Sequence, residues 1–242
     1  METIMRTIEY VSLTKDRLDE SILVLREAFF KHENVCIATG LSQNPQAIAE
    51  CDNLIINVSK HGVSVIAIEK QTNKIVGVAL NKIQHKSTSS NEFYEDSIKP
   101  AKYPETAGIL DFLIEMENSL DPFQPYEANC LLELLFLGVH PNYGKRGIGL
   151  KLAEISIELA GLLFKGDNVK TPIEDKQLSL EPRPQIVTSV LTSFKTQRIC
   201  RRLQFDIVKV IMCRDIFYNG QSYASLLGDA DLKFTLECKK LN

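Results

Sequence analysis

The sequence predicts a single α/β (α+β) domain spanning residues 1–242, with a mixed, mainly antiparallel sheet of about seven strands flanked by helices. Short apolar or alternating segments typical of strands are separated by amphipathic segments with helical spacing. A ten-residue apolar segment, 130–139, runs into a glycine-rich turn near the middle of the chain. The composition, 44% hydrophobic and 24% charged, is ordinary for a globular protein.

The first third of the chain predicts one strand and two helices. Residues 7–14 form the strand, and the first helix follows from a cap at Thr14 or Asp16 and ends near residues 31–34. The second helix spans residues 45–59, where apolar residues recur at helical spacing. Asn44 suits its N-cap, and Pro45 suits the first helical position because no N–H is needed there.

The next segment predicts a hairpin, a long loop and a third helix. The hairpin strands, 63–68 and 75–80, are joined by a short polar turn. Residues 85–108 are polar and contain two prolines, so we expect a loop, and loops of this length are more often functional than idle. The helix at residues 109–120 carries an acidic face that we expect to be solvated, formed by Asp111, Glu115 and Glu117.

The central segment predicts a buried strand that enters a helix through a tight turn. Cys130–Val139 is apolar apart from Glu133, whereas a helix of this length would show a polar face. Pro141 ends the strand and favours extended geometry at His140, for which we expect a structural contact. Helical spacing of apolar residues resumes at Ile148.

The turn between the two, Gly144-Lys-Arg-Gly-Ile-Gly149, predicts a pyrophosphate cradle. Glycines that open a helix let backbone N–H groups approach an anion, and the helix dipole favours negative charge there. Lys145 and Arg146 add two positive charges. The pattern is neither a nucleoside-triphosphatase loop nor a dinucleotide-binding Gly-x-Gly-x-x-Gly. The alternative is that Gly147 and Gly149 only shape a tight turn.

The last third predicts a loop, three strands and a helix. A polar loop with three prolines, 166–184, leads to a strand at residues 185–191 and a helix at residues 193–203. The two further strands are predicted at residues 207–213 and 233–238. No internal repeat is present.

Composition excludes several classes of protein. The formal net charge of −3 gives no support for nucleic-acid binding. No apolar run is long enough to span a membrane, and the first residues lack a secretory pattern, so we expect a cytoplasmic monomer without membrane contact. Six scattered cysteines without Cys-x-x-Cys predict reduced, buried thiols and no metal site.

The cradle resembles the acetyl-coenzyme A motif of the GNAT acyltransferases, Gln/Arg-x-x-Gly-x-Gly/Ala, which follows a strand ending in Val-His-Pro or similar. Gly147 and Gly149 match, whereas Gly144 holds the Gln/Arg position. The order of elements is also similar over nearly the whole chain. The resemblance implies acetyl-CoA as cosubstrate, bound by Leu137, Gly138, Val139, Gly144, Lys145, Arg146, Gly147, Ile148, Gly149 and Leu150.

Two further segments resemble the insect-type arylalkylamine N-acetyltransferases within that superfamily. Residues 28–34 are similar to Phe-Phe-x-Asp-Glu-Pro, which puts Glu33 on the catalytic glutamate, although His32 and Asn34 replace its neighbours. Residues 192–205 are similar to Ser-Ser-x-x-Ser followed by a helix and Leu-Gly-Phe. Thr192 and Thr196 fall on two of these serines, and Gln204 replaces the glycine.

The chemistry of amine acetylation assigns roles to these residues. A protonated amine must lose a proton before it attacks a thioester, and Glu33 is placed at a helix end where its carboxylate can accept that proton. The tetrahedral oxyanion needs donors, for which the backbone N–H groups of 137–139 are candidates if the strand diverges from its neighbour. Thr192 or Thr196 would supply a proton to the leaving sulfur, with Tyr143 as a further candidate.

The predicted function is therefore acetyl transfer from acetyl-CoA to the primary amine of a small arylalkylamine or aliphatic (poly)amine. We expect direct attack in a ternary complex, because no cysteine is convincingly placed as a nucleophile. A non-catalytic acyl-CoA binding module and a peptide or protein N-acetyltransferase are the alternatives. Acidic residues, Asp111, Glu115, Glu117 and Glu133, would favour a substrate with a second positive charge if they face it, or else face water.

Overall fold

The computed structural model describes residues 8–87, 93–94, 96, 99–119 and 121–242, except for the side chain of Glu117. The strands of this part are β1 (Ile8–Ser12), β2 (Val65–Glu69), β3 (Lys74–His85), β4 (Cys130–Val139), β5 (Ile186–Leu191), β6 (Asp206–Met212), β7 (Phe217–Tyr218), β8 (Gln221–Ser222) and β9 (Lys233–Lys240). The α-helices are α1 (Leu18–Leu25), α2 (Asn34–Ala38), α3 (Pro45–Glu50), α4 (Asp52–Ser59), α5 (Pro104–Asn118), α6 (Ile148–Lys165), α7 (Phe194–Arg202) and α8 (Tyr223–Leu227).

The described strands form a seven-stranded sheet with the order β1-β2-β3-β4-β5-β9-β6, beside a small β7–β8 hairpin. Neighbours in the large sheet are antiparallel except β4 and β5, which are parallel. Helices flank this sheet. The predicted fold class, a mixed and mainly antiparallel sheet of about seven strands with flanking helices, is confirmed.

Alternate residues of the central strands point into two separate apolar layers. On one face, Val78, Leu80 and Phe136 join the cluster that holds the first five helices and α8. On the other face, Ala79 and Leu137 pack in the cluster that contains α6 and α7. Strands buried on both faces are apolar throughout, which explains the composition of β4.

Strand β4 has the predicted bounds, and its pairing changes along its length. A bulge lies where Leu80 pairs with Phe136 and Asn81 with Leu134, so Leu135 has no partner on β3. On the other side, β4 pairs with β5 only over Leu131, Leu132 and Glu133. The second half of β4 therefore has β3 on one side and a gap on the other.

The single helix predicted over residues 45–59 is wrong, because two helices meet at Cys51. The N-cap prediction is confirmed, since the Asn44 side chain accepts hydrogen bonds from the N–H groups of Gln46 and Ala47. The N–H of Cys51 is shared between the carbonyl oxygens of Ala47 and Ile48, which tightens the backbone and ends α3 there.

The long loop predicted over residues 85–108 is shorter. Strand β3 continues to His85, and α5 begins at Pro104. Pro104 is compatible with the first turn of a helix because that position needs no N–H, so its presence did not mark a loop. Residues 88–92, 95, 97 and 98 of this prediction lie outside the described residues.

Two five-residue helices, α2 and α8, were not predicted. Each begins at a side-chain cap, provided by Glu33 for α2 and by Ser222 for α8. Helices this short show too few apolar repeats for a periodicity to be visible. They matter here because α2 and α8 contact each other and α2 begins at Glu33.

The structure also bears on three features of composition. All six cysteines are buried and unbridged. In the described part of the chain, no helix has the length and apolarity required to cross a membrane. The same residues contain no cluster of three or more His, Cys, Asp or Glu that could hold a metal ion.

Candidate active site

The sheet opens between β5 and the second half of β4, which leaves the gap beside β4. Before the two strands separate, the Ser189 hydroxyl on β5 donates a hydrogen bond to the Leu134 carbonyl on β4 at 2.8 Å. The backbone N–H of His140 donates to the Val76 carbonyl on β3 at 2.9 Å. Hydrogen-bonding groups alternate in direction along a strand, so the N–H groups of Leu137 and Val139 point into the gap, whereas that of Gly138 points toward β3.

Gly138 has a packing role in this strand. A Cβ added there would lie 3.2 Å from Leu25 Cδ2 and 3.3 Å from Ala28 Cβ. The absence of a side chain therefore lets the end of α1 approach β4 closely. That approach positions the π-helical turn Arg26–Phe30, which leads directly to Glu33.

The predicted cradle lies at the N-terminal end of α6. Its N-cap, Gly147, has a φ of 79°, a left-handed conformation that glycine adopts without strain. Within the described chain, the backbone N–H groups of residues 145–150 have no hydrogen-bond partner, whereas that of Gly144 donates to the Pro141 carbonyl at 3.2 Å. Six successive free donors at the start of an 18-residue helix suit a bound diphosphate.

The charged residues of the cradle are exposed. The Arg146 guanidinium lies over the Tyr143 ring, 4.9 Å from its centroid, and the Tyr143 hydroxyl donates to Glu69 at 2.8 Å. Hydrogen bonds from Thr72 and Tyr143 hold the pKa of Glu69 below its usual value. Tyr143 is thus engaged with Glu69 and Arg146. His140 has the expected structural contact, since its Nδ1 accepts from the N–H of Asn142 at 3.3 Å.

Glu33 and Thr192 meet although they are 159 residues apart. The Thr192 hydroxyl donates to Glu33 Oε1 at 2.5 Å, and Glu33 Oε2 accepts from the N–H of Cys36 at 2.9 Å. The side-chain amide of Asn34 donates to the Thr192 carbonyl at 2.5 Å. Two hydrogen bonds therefore fix a half-buried carboxylate beside the end of β5, at the same sheet opening, and a third holds the Thr192 backbone.

Thr196, which we predicted beside Thr192, is not part of this contact. Its hydroxyl donates to the Ser193 carbonyl at 2.9 Å, and its N–H donates to the Ser193 hydroxyl at 3.2 Å. These bonds cap the first turn of α7, which leaves Thr192 as the threonine that touches Glu33.

Comparisons of the sequence with protein-family models and with curated proteins return no match. The structure, by contrast, resembles solved structures over nearly its whole length. Arylalkylamine N-acetyltransferase 2 from Aedes aegypti superimposes with a TM-score of 0.78 at 22% identity, covering 97% of this chain and 99% of that one. Polyamine N-acetyltransferase from Drosophila melanogaster, described as forming N-acetylagmatine, and an agmatine N-acetyltransferase each give a TM-score of 0.74, at 14% and 15% identity. Each alignment covers 97% of this chain and 100% of the other.

This chain has the GNAT fold. The resemblance expected from the cradle and from the order of elements is therefore confirmed at the level of fold. Within this fold, the sheet opening, the cradle and the Glu33–Thr192 pair lie along the second half of β4 and the end of β5.

An aromatic residue that the sequence did not indicate lies within range of the Glu33 charge. Tyr223, at the start of α8, is 2% exposed and packs with Phe112 and Phe234. Burial raises the pKa of Tyr223, and the charges of Glu115 and Glu33 raise it further, so its hydroxyl stays protonated. Because Tyr223 follows a two-residue strand and begins a five-residue helix, no pattern in the sequence distinguished it.

The acidic residues considered for a second substrate charge have different environments. Asp111 and Glu115 are exposed, and the Glu117 side chain lies outside the described residues. Glu133 neither faces water nor is free for a substrate. Its carboxylate is 8% exposed and forms a 3.2 Å ion pair with Lys82, which is 3% exposed. Lys82 also donates to the Tyr94 hydroxyl at 3.0 Å, so this charge is neutralised inside the fold.

Proposed function

We propose that this chain transfers the acetyl group of acetyl-CoA to the primary amine of a small arylalkylamine or aliphatic (poly)amine. The observation that carries the proposal is the Glu33–Thr192 contact at the sheet opening, within a GNAT fold whose cradle offers free N–H donors. The similar solved structures include arylalkylamine, agmatine and polyamine N-acetyltransferases, which supports a small amine as acceptor.

The cradle fits the diphosphate of acetyl-CoA. Free N–H groups at residues 145–150 supply donors, the helix dipole of α6 adds partial positive charge, and Lys145 and Arg146 add full charges. The N–H groups of Leu137 and Val139 face the gap beside β4, where the thioester would extend from the diphosphate. Acetyl-CoA, when bound, supplies the electrophilic carbonyl and the thiol leaving group.

Glu33 acts as the general base in this proposal. Its carboxylate removes a proton from the ammonium group of the substrate, directly or through one water molecule, so that the nitrogen lone pair attacks the thioester carbon. The N–H groups of Leu137 and Val139 are candidates for stabilising the oxyanion of the tetrahedral intermediate. Because Glu33 is held by Cys36 and Thr192, its position is fixed before the amine binds.

The proton on Glu33 then has a route to the leaving group. Thr192 donates its hydroxyl proton to the departing sulfur as the C–S bond breaks, and it regains a proton from Glu33 through their existing hydrogen bond. The ammonium nitrogen loses two protons in becoming an amide. One reaches the CoA thiol through Glu33 and Thr192, and the other, lost from the nitrogen after it attacks, is released to solvent, so charges and protons balance over the cycle. All six cysteines are buried, and burial raises their thiol pKa, so direct attack without an acetyl-enzyme is the mechanism we propose.

The test is a screen of amines with acetyl-CoA in which free CoA thiol is measured. The panel contains arylalkylamines, monoamines, diamines, a guanidinoamine and peptides with free N-termini. Thiol release that depends on a small amine is the expected result. Release with peptides alone would instead support a peptide N-acetyltransferase. Acetyl-CoA binding without release against any member would support a non-catalytic acyl-CoA binding module.

A further inference from the structure

Helix α7 carries an unusual concentration of unpaired positive charge. Four of its nine residues, Lys195, Arg198, Arg201 and Arg202, are basic and exposed, and none is acidic. Among the described residues, none of the four forms an ion pair, whereas other surface lysines, such as Lys31 with Glu27, do. On a chain with a formal net charge of −3, this helix is a local exception that favours an external anion.

One side of α7 faces the cradle. A Cβ added to Gly149, in the first turn of α6, would lie 3.5 Å from Ile199 Cδ1. At about 100° per residue, Lys195 and Arg202 project within roughly 60° of Ile199, whereas Arg198 projects about 100° from it, toward Phe194. Lys195 and Arg202, the cradle-side cations, therefore lie together beside the phosphate-binding turn.

The opposite side of α7 faces the end of the sheet. Gln197 Nε2 donates to the Leu191 carbonyl at 3.3 Å and to the Lys233 carbonyl at 2.9 Å. Arg201 projects on the same side as Gln197 by the helical repeat. Arg201 therefore carries the same charge on the same helix as the cradle-side cations, but it projects in a different direction.

Helix stability explains the positions of some of these basic residues but not of all four. A cation in the last turn interacts favourably with the helix dipole, which accounts for Arg201 and Arg202. Lys195 lies in the first turn, where the same dipole opposes a positive charge. Arg198 extends over the exposed ring of Phe194, 5.8 Å from its centroid, which holds the guanidinium on the outer surface.

We propose that the cradle-side cations bind the 3′-phosphate of the CoA cosubstrate. This inference rests on the proposed function, because it concerns the same ligand. The diphosphate of CoA is met by backbone donors at residues 145–150, and a 3′-phosphate monoester carries a further charge of about −2 at neutral pH. Arginine and lysine side chains on a helix next to the cradle supply the matching charge without competing carboxylates.

Calorimetric titration of acetyl-CoA and of 3′-dephospho-acetyl-CoA tests this proposal. Wild-type protein should bind acetyl-CoA roughly tenfold more tightly than the dephospho compound, because two exposed cations each contribute a modest amount. In the double variant Lys195→Gln, Arg202→Gln, this ratio should fall to about one, with unchanged affinity for the dephospho compound. The ratio should also shrink as salt rises.

Arg201→Gln is the matched control, since it removes the same charge from the same helix on the other side. It should keep the wild-type ratio. A double variant that retains the ratio, or that loses affinity equally for both compounds, overturns the proposal. The proposed function fails separately: wild-type protein that binds neither compound, or binds both without acetylating any amine, contradicts acetyl transfer whatever the ratio is. Circular dichroism of the double variant checks that the protein remains folded.

Discussion

Substitution of Gly147 by glutamate should abolish tight binding of acetyl-CoA while the fold persists. A Cβ at Gly147 would meet nothing within 4 Å, so the new side chain enters open space in front of the cradle. The φ of 79° strains any residue with a side chain, at a cost of about 1–2 kcal/mol, which a domain of this size tolerates.

The effect on binding can be worked out from charge alone. A carboxylate about 5 Å from two diphosphate charges is repelled by about 1.7 kcal/mol at the dielectric constant of water, and by more where water is excluded. That energy corresponds to a loss of affinity of at least about 15-fold. Steric obstruction of the donors at residues 145–150 adds to it.

Gly220→Glu is the matched control for this substitution. Gly220 also has a φ of 79° with nothing within 4 Å of an added Cβ, but it lies in the β7–β8 turn. Both variants should lose similar thermal stability, and only Gly147→Glu should lose affinity in a calorimetric titration with acetyl-CoA. Undiminished affinity in folded Gly147→Glu protein would refute the cradle as the phosphate site.

Three further predictions concern the base, a strained turn and acid stability. Glu33→Gln should lower kcat by at least about 100-fold with acetyl-CoA affinity unchanged. Glu27→Gln, on the exposed turn before it, should leave both kcat and affinity unaltered. Equal kcat values for Glu33→Gln and wild-type protein would remove Glu33 from the mechanism. Gln204 has a φ of 60°, a left-handed conformation that glycine adopts without strain. Gln204→Gly should therefore raise the free energy of unfolding, measured by urea denaturation, by up to about 1 kcal/mol. A loss of stability would contradict this account of the turn. Burial, with the charges of Lys82 and Lys170, lowers the pKa of His61 to about 4. As pH falls from about 6.5 to 4, the unfolded chain therefore binds a proton on His61 that the folded chain does not. The stability of the wild-type protein should decline over that range, and that of His61→Gln should decline less steeply. Thermal melts at each pH measure both declines.

The fold was predictable from the sequence where the residues of one element determine its conformation by themselves. Strand β4 is apolar because both of its faces are buried, and its bounds followed from that run. The cradle followed from glycines whose backbone requirements are local: the φ of Gly147 and the free donors after it agree with the pattern. Gln204 also lies in the left-handed region, at the position where the related pattern has glycine.

The features that were missed depend on residues distant in sequence. Glu133 was considered as a charge for the substrate, and only the structure shows Lys82 across the sheet as its partner. Thr196 and Thr192 looked equivalent, but the Ser193 cap engages Thr196 and leaves Thr192 for Glu33. Tyr223 comes within range of the Glu33 charge because α8 packs on α2, which no local pattern could have revealed.

The central claim is that an amine activated by Glu33 attacks acetyl-CoA directly while both are bound. Initial rates measured over a grid of acetyl-CoA and amine concentrations, with an amine that the thiol screen identifies, test it most directly. The account predicts double-reciprocal lines that intersect, because both substrates must be present before any product leaves. Parallel lines, together with an acetylated protein trapped in the absence of amine, would contradict it.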